Sequence, residues 1–165
     1  MQSRKHYSII QKMKTAVLAS DNHGLEAPLD FLREKYSDAE IFLHCGDSEL
    51  PKRMLSGFTA VAGNNDDYGE YPEYLVLEAE GHRIYLTHGH RDMFLNQLHM
   101  LVKRANMLGC DTVCFGHTHV PCDAYVDGVH LLNPGSVWHN RDGSAPSYMI
   151  LQIDKVGVRA SIERL

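Results

Sequence analysis

Five short apolar runs in this sequence each stop in a polar, glycine-containing tail: AVLASDNHG, IFLHCGD, TAVAGNND, IYLTHGH and VCFGHTH. The tails carry Asp21, His23, Asp47, Asn64, His88, His117 and His119, side chains whose nitrogen and oxygen atoms bind metal ions. Asp21-Asn22 alone reads as a helix cap and Asn64-Asn65 alone as a turn. Turn chemistry gives no reason, however, for His88, His90, His117 and His119 to follow apolar runs directly. Seven such groups exceed the three or four that one tetrahedral zinc accepts, so a pair of ions is implied. Mixed imidazole and carboxylate donors suit manganese, iron, zinc or nickel rather than calcium or magnesium, and the lack of clustered thiolates argues against a structural zinc. A pair of divalent cations, the two carboxylates and one hydroxide sum to a net positive charge, which attracts a phosphate anion.

For these groups to meet, the chain must bring its tails together. In an open α/β sheet the carboxyl ends of the strands share one edge, and that edge is where ligands bind. Six runs rich in Val, Ile, Leu and aromatic residues predict strands at Thr15–Ala19, Ile41–Leu43, Thr59–Ala62, Leu75–Ala79, Arg83–Thr87 and Thr112–Phe115. Leu25, Leu29, Leu32 and Tyr36 lie on one helical stripe, with Pro28 tolerable only in its first turn. Phe94, Leu98, Leu101, Ala105 and Leu108 form a second stripe that Gly109 stops. The last third turns to β-hairpins, one around Asp127-Gly128 and one joining Ser147–Asp154 to Val156–Ile162. The class is α/β.

The ordered set Asp21-x-His23, Gly46-Asp47, Gly63-Asn64, His88 and Gly116-His117-x-His119 resembles that of the calcineurin-like metallophosphoesterases. The short chain and the loop Asn133-Pro134-Gly135-Ser136 resemble the small YfcE-like phosphodiesterase branch, over about residues 14–165. The resemblance implies two stacked β-sheets flanked by helices and hydrolysis of phosphodiesters by a metal-bridging hydroxide. It assigns Asp21, His23, Asp47 and His119 to one divalent transition-metal ion, and Asp47, Asn64, His88 and His117 to the other. Manganese is the first choice of metal, with iron, zinc or nickel as alternatives. One departure stands out: many members carry His directly after the Gly-Asn pair, where this chain has Asn65. Asn is no acid at neutral pH, so His90 becomes the candidate donor to the leaving group, while Asn65 keeps the capacity to hydrogen-bond a phosphate. The alternative function is a non-catalytic or weakly catalytic assembly subunit of the same fold, which binds metal.

Composition sets the remaining bounds. The chain of 165 residues allows one domain, expected over 14–165, behind a polar segment 1–13 expected to be a disordered extension. With 44% hydrophobic and 22% charged residues it can bury a core without disulfides. The net charge of −5 offers no footprint for long nucleic acid, and no apolar run is long enough to cross a bilayer. A cytoplasmic protein acting on a small phosphodiester is expected, with a homo-oligomer left open. Cys45, Cys110, Cys114 and Cys122 form no CxxC pair and read as reduced thiols. Tyr68, Tyr71 and Tyr74 read as a surface loop and Trp138 as core or interface. Arg141 reads as solvated, with a phosphate clamp as the sharper alternative. His6, His82, His99, His130 and His139 read as structural or surface residues.

Overall fold

The computed structural model describes residues 12–67, 69–93 and 97–165. Residues 1–11 of the expected N-terminal extension lie outside the described residues, as do Tyr68 and Phe94. The elements run β1 (Lys14–Ala19), α1 (Ala27–Lys35), β2 (Ile41–His44), a 3-10 turn (Lys52–Leu55), β3 (Thr59–Ala60), β4 (Tyr74–Ala79) and β5 (His82–Thr87). They continue with α2 (Leu98–Leu108), β6 (Thr112–Cys114), β7 (Cys122–Val126), β8 (Val129–Asn133), β9 (Ser147–Ile153) and β10 (Val158–Arg164).

The strands form two mixed sheets, ordered β10-β9-β1-β2-β3 and β4-β5-β6-β8-β7. Parallel pairs join β1 with β2 and β2 with β3 in the first sheet and β5 with β6 and β6 with β8 in the second, while hairpins form the β9–β10, β4–β5 and β7–β8 edges. Side chains alternate across each strand. On β1, Ala16 and Leu18 face the second sheet and pack with Leu43, Ile84, Leu86, Cys114 and Leu132 in a core shared by both sheets. The intervening Val17 and Ala19 pack against Leu29 and Leu32 of α1. The second sheet repeats the pattern: Ile84 and Leu86 point inward, while Tyr85 and Val113 meet Leu101, Val102 and Ala105 of α2. The result is a helix–sheet–sheet–helix sandwich, the architecture implied by the resemblance.

Local signals end the helices where expected. Pro28 sits in the first turn of α1. Gly109 caps α2 in the left-handed region at φ 67°, its N–H reaching Ala105 and Asn106. Two expected strands are shorter than their apolar runs. At β3 the regular strand ends at Ala60, and Ala62 donates to Pro72. Val61 and Phe115, just past the strand ends, are buried and still donate their N–H groups to His44 O (3.2 Å) and Leu132 O (3.0 Å) of the neighbouring strands.

One geometric expectation is corrected: the polar tails do not line the edge of a single sheet. Those after β1, β2 and β3 leave the first sheet and those after β5 and β6 leave the second. Stacking brings both sets to one end of the sandwich, where His117 N–H donates to Asp21 Oδ2 (3.2 Å) and His88 Nδ1 lies 2.7 Å from Cys45 O.

Candidate metal centre

All seven expected ligands reach this common end, and five of them adopt a backbone that side chains rarely tolerate. Asp21, His23, Asp47, His117 and His119 have φ between 44° and 68°. A non-glycine residue there costs about 1–3 kcal/mol and persists only where its surroundings hold it. His23 N–H donates to Asp47 O (3.1 Å) and Gly24 N–H to Ser48 O (2.8 Å), locking the first tail onto the second. The Asp66 carboxylate accepts the N–H groups of Asp47, Gly63 and Glu49 at 2.7–2.8 Å, fixing the second tail onto the third. The Asn133–Ser136 loop braces the rest: Asn133 Nδ2 donates to Gly116 O (3.0 Å) and Ser136 Oγ to Asp21 O (2.7 Å).

The side chains converge in a way that hydrogen bonding alone does not satisfy. His88 Nδ1 lies 2.7 Å from Cys45 O and His119 Nδ1 lies 2.9 Å from His139 O, and carbonyls only accept. His23 Nδ1 faces the Glu49 carboxylate at 2.6 Å. Each ring therefore carries its proton on Nδ1 when neutral and aims a lone pair from Nε2 into the centre. There His23 Nε2 and His119 Nε2 stand 3.1 Å apart, and Asp21 Oδ1 is 3.1 Å from the latter and 3.8 Å from the former. Around the neighbouring point, Asp47 Oδ2 is 3.4 Å from His88 Nε2, while Asn64 Oδ1 is 3.1 Å from both His88 Nε2 and His117 Nδ1. Asp21 Oδ1 is buried with no hydrogen-bond partner. Acceptors facing acceptors around an orphaned carboxylate oxygen fit cations. Asp21, His23 and His119 form one candidate group, and Asp21, Asp47 and His88 a second.

The electrostatics agree. Burial would raise the Asp21 carboxyl, but the neighbouring His119 and His88 imidazoles and the Ser20 hydrogen bond hold it below the usual carboxylate range. Burial likewise opposes ionisation of Asp47, and His88 and Asn65 overcome it. Both carboxylates are thus ionised, and metal binding would displace the His88 proton that otherwise balances them. His90 ends with its rings 5.4 Å from His88 and 6.1 Å from His117, its Nδ1 buried and unpartnered. Burial and the charge of His88 push its pKa down. Asn65 is turned toward protein: its backbone N–H and Nδ2 donate to the two oxygens of Asp47, each at 2.8 Å.

Several positions matter that residue type and spacing do not single out. Asp66, Glu49 and Ser136 hold the candidate ligands in place, but an acidic or hydroxyl residue in a loop gives no sign of its partners. His44 is fully buried, accepts the Gly46 N–H (3.1 Å) and has a pKa lowered to about 4 by burial. Tyr71 is corrected from surface to core, its hydroxyl donating to Leu50 O. Trp138 is neither core nor a remote surface residue; it is half exposed, with its ring 5.2 Å from that of His23. Arg141 is exposed and makes one long contact, 3.4 Å, to His117 O. His82 and His130 pair with Asp111 and Asp123 away from the centre. The cysteines are free, and burial pushes the Cys114 thiol up to about 12 and raises Cys45 well above its ordinary value. Among the described residues no helix is long and apolar enough to cross a membrane.

Close approach explains one glycine in particular. A Cβ on Gly63 would lie 2.1 Å from Asp47 Oδ1 and 2.4 Å from Asp47 N. Gly63→Ala is expected to lower stability by about 1–3 kcal/mol and to weaken metal binding, measured by thermal unfolding and calorimetry. Gly157→Ala, with open space around its Cβ, is the control expected to change neither.

Comparison with known proteins shows the family and the fold. The model of the calcineurin-like phosphoesterase superfamily domain matches residues 13–156. The probable metallophosphoesterase YsnB of Bacillus subtilis is 36% identical over 141 residues, covering 84% of this chain and 83% of that protein. The phosphodiesterase YfcE of Escherichia coli is 28% identical over 149 residues, covering 84% and 71%. A crystal structure from Streptococcus pneumoniae, described as a predicted phosphoesterase, superposes with a TM-score of 0.85 at 29% identity, covering 93% of this chain and 90% of that one. Vacuolar Protein Sorting 29 of Cryptosporidium parvum shares the fold, with a TM-score of 0.72 at 20% identity over 92% and 97%.

Proposed function

Because this chain belongs to the calcineurin-like phosphoesterase superfamily, we propose that it is a phosphodiesterase dependent on two divalent transition-metal ions. The observation that carries this reading is the buried convergence of imidazole nitrogens on ionised carboxylates, with Asp21 Oδ1 left unpartnered. Asp21, His23, Asp47 and His119 would hold one ion, and Asp47, Asn64, His88 and His117 the other, with manganese the metal of first choice. When bound, the pair of cations supplies Lewis acidity toward the phosphoryl oxygens and ionises a water near neutral pH.

The protein's own groups then divide the remaining work. Asn65 and the Asp66 carboxylate keep Asp47 in the one orientation from which it faces both ligand groups. A cavity of about 640 Å³, lined by Asn64, Tyr71, Glu73, His90 and Arg91 among others, opens beside the centre and gives an ester group room to sit. His90 is the side chain in that cavity placed to donate a proton to a departing oxygen. The catalytic unit is residues 14–165, acting on small phosphodiesters in the cytoplasm, with residues 1–13 outside it.

Vacuolar Protein Sorting 29 shows that this fold is also found in proteins named for sorting, so an assembly subunit is the competing reading. Turnover separates the two. Manganese-loaded protein is expected to hydrolyse bis(p-nitrophenyl) phosphate, and chelator-treated protein to lose that activity and regain it when manganese is restored. Protein that binds metal and turns over no diester supports the subunit.

A further inference from the structure

The sequence contains a single tryptophan, and the fold spends it at the rim of the metal centre. The Trp138 ring stands 5.2 Å from that of His23 and 6.4 Å from that of His119, edge-on to both, and half of its surface is open. Its mounting is rigid. Val137 before it is buried among Val17, Leu29 and Leu32. The N–H groups of Trp138 and His139 both donate to Ser136 Oγ (3.0 and 2.9 Å), which itself donates to Asp21 O. His139 O in turn fixes the His119 ring. The same short segment therefore orients two ligand residues and an exposed indole.

Resting on the phosphodiesterase reading, we propose that Trp138 is a stacking platform for a planar aromatic ester group, an aryl ring or a nucleobase, on a phosphate held at the centre. An exposed indole on a fixed backbone binds π-faces with little ordering cost, and stacking of this kind is sequence-tolerant but selective for planarity. A quaternary ammonium also favours indole. Here the exposed Arg141 guanidinium, on the same loop and against His117 O, opposes a cationic group. The platform lies on the His23–His119 side, whereas the cavity holding His90 opens beside Asn64, so the two ester groups of a diester have separate seats.

The test is calorimetric titration of manganese-loaded protein with phenyl phosphate, methyl phosphate and phosphocholine. The wild type is expected to bind phenyl phosphate about tenfold more tightly than the other two. Phenyl phosphate alone should quench the fluorescence of the sole tryptophan. Trp138→Ala should remove the preference while binding methyl phosphate and manganese as before, and Trp138→Phe should keep most of it. An unchanged preference in Trp138→Ala overturns the platform. If that variant instead dissociates an oligomer with the preference intact, the indole is a contact between copies. A preference for phosphocholine overturns the planar class. Should the wild type hydrolyse bis(p-nitrophenyl) phosphate yet bind phenyl and methyl phosphate alike, only the platform fails. Should it neither hydrolyse the diester nor bind any of the three, the phosphodiesterase reading fails and takes the platform with it.

Discussion

Asp47→Ala is expected to lower kcat/KM for an aryl phosphodiester by about 10³-fold, equivalent to about 4 kcal/mol of transition-state stabilisation. The reason is position. Asp47 Oδ2 stands 3.4 Å from His88 Nε2 and 4.0 Å from His23 Nε2, so one carboxylate faces both candidate groups, and its charge would serve both ions of the proposed pair. The protein around it is built to keep it there: Asn65 donates to both of its oxygens, Asp66 accepts its N–H, and Gly63 has no Cβ to collide with it. His23→Ala removes a ligand from one group only and is expected to cost less. The measurement is kcat/KM for both variants at saturating manganese, with bound metal determined by elemental analysis. If Asp47→Ala retains more activity than His23→Ala, the bridging role passes to Asp21, whose Oδ1 lies within 3.9 Å of Nε2 of His23, His88 and His119.

The second large effect concerns the leaving group. Esters that release an aryl oxide are expected to exceed those that release an alkoxide, alkyl monoesters included, by about 10²- to 10⁴-fold in kcat/KM, the usual worth of general acid assistance. An aryl oxide departs without a proton, whereas an alkoxide needs one. Asn65 cannot give it and is committed to Asp47. His90 can give it only when protonated, and burial together with the charge of His88 pushes its pKa below the ordinary histidine value. Metal cations held at the centre would act in the same direction. The protonated fraction is therefore small at neutral pH and rises as pH falls. Lowering the pH from about 8 to about 6 should narrow the gap between a diaryl and a dialkyl phosphodiester, neither of which titrates in that range, and His90→Ala should abolish the narrowing. A wild type that prefers alkyl monoesters at neutral pH would show that the proton comes from elsewhere.

The convergence of these residues was legible because ligand-type side chains at strand ends are a chemical signature that turns do not produce. The histidines of IYLTHGH and VCFGHTH follow buried strands, and nothing in loop chemistry asks for them there. The helices were plainer, from Leu29 and Leu32 and from the Gly109 stop, although Leu25, expected on the same stripe, lies before α1 and is exposed. The sheets were not. Apolar runs buried on both faces, such as those of β1 and β5, do not say which sheet they join, so residues alone suggested one sheet edge where the protein stacks two. The groups that hold the ligands were hidden for a different reason. Asp66 and Glu49 act through backbone N–H groups and one imidazole brought near by folding, and a carboxylate in a loop looks the same whether it serves a neighbour or water. Trp138 escaped in the same way: its place beside His23 depends on Ser136 reaching Asp21 across the fold.

The proposed phosphodiesterase requires this buried cluster to hold two metal ions, both of them needed for hydrolysis. Metal-stripped protein, titrated with manganese while bis(p-nitrophenyl) phosphate turnover and bound metal are followed together, tests it most directly. Activity is expected to rise until about two equivalents are bound per chain and then to level off. Activity that levels off at a single equivalent, or a chain carrying both ions that hydrolyses no diester, would contradict it.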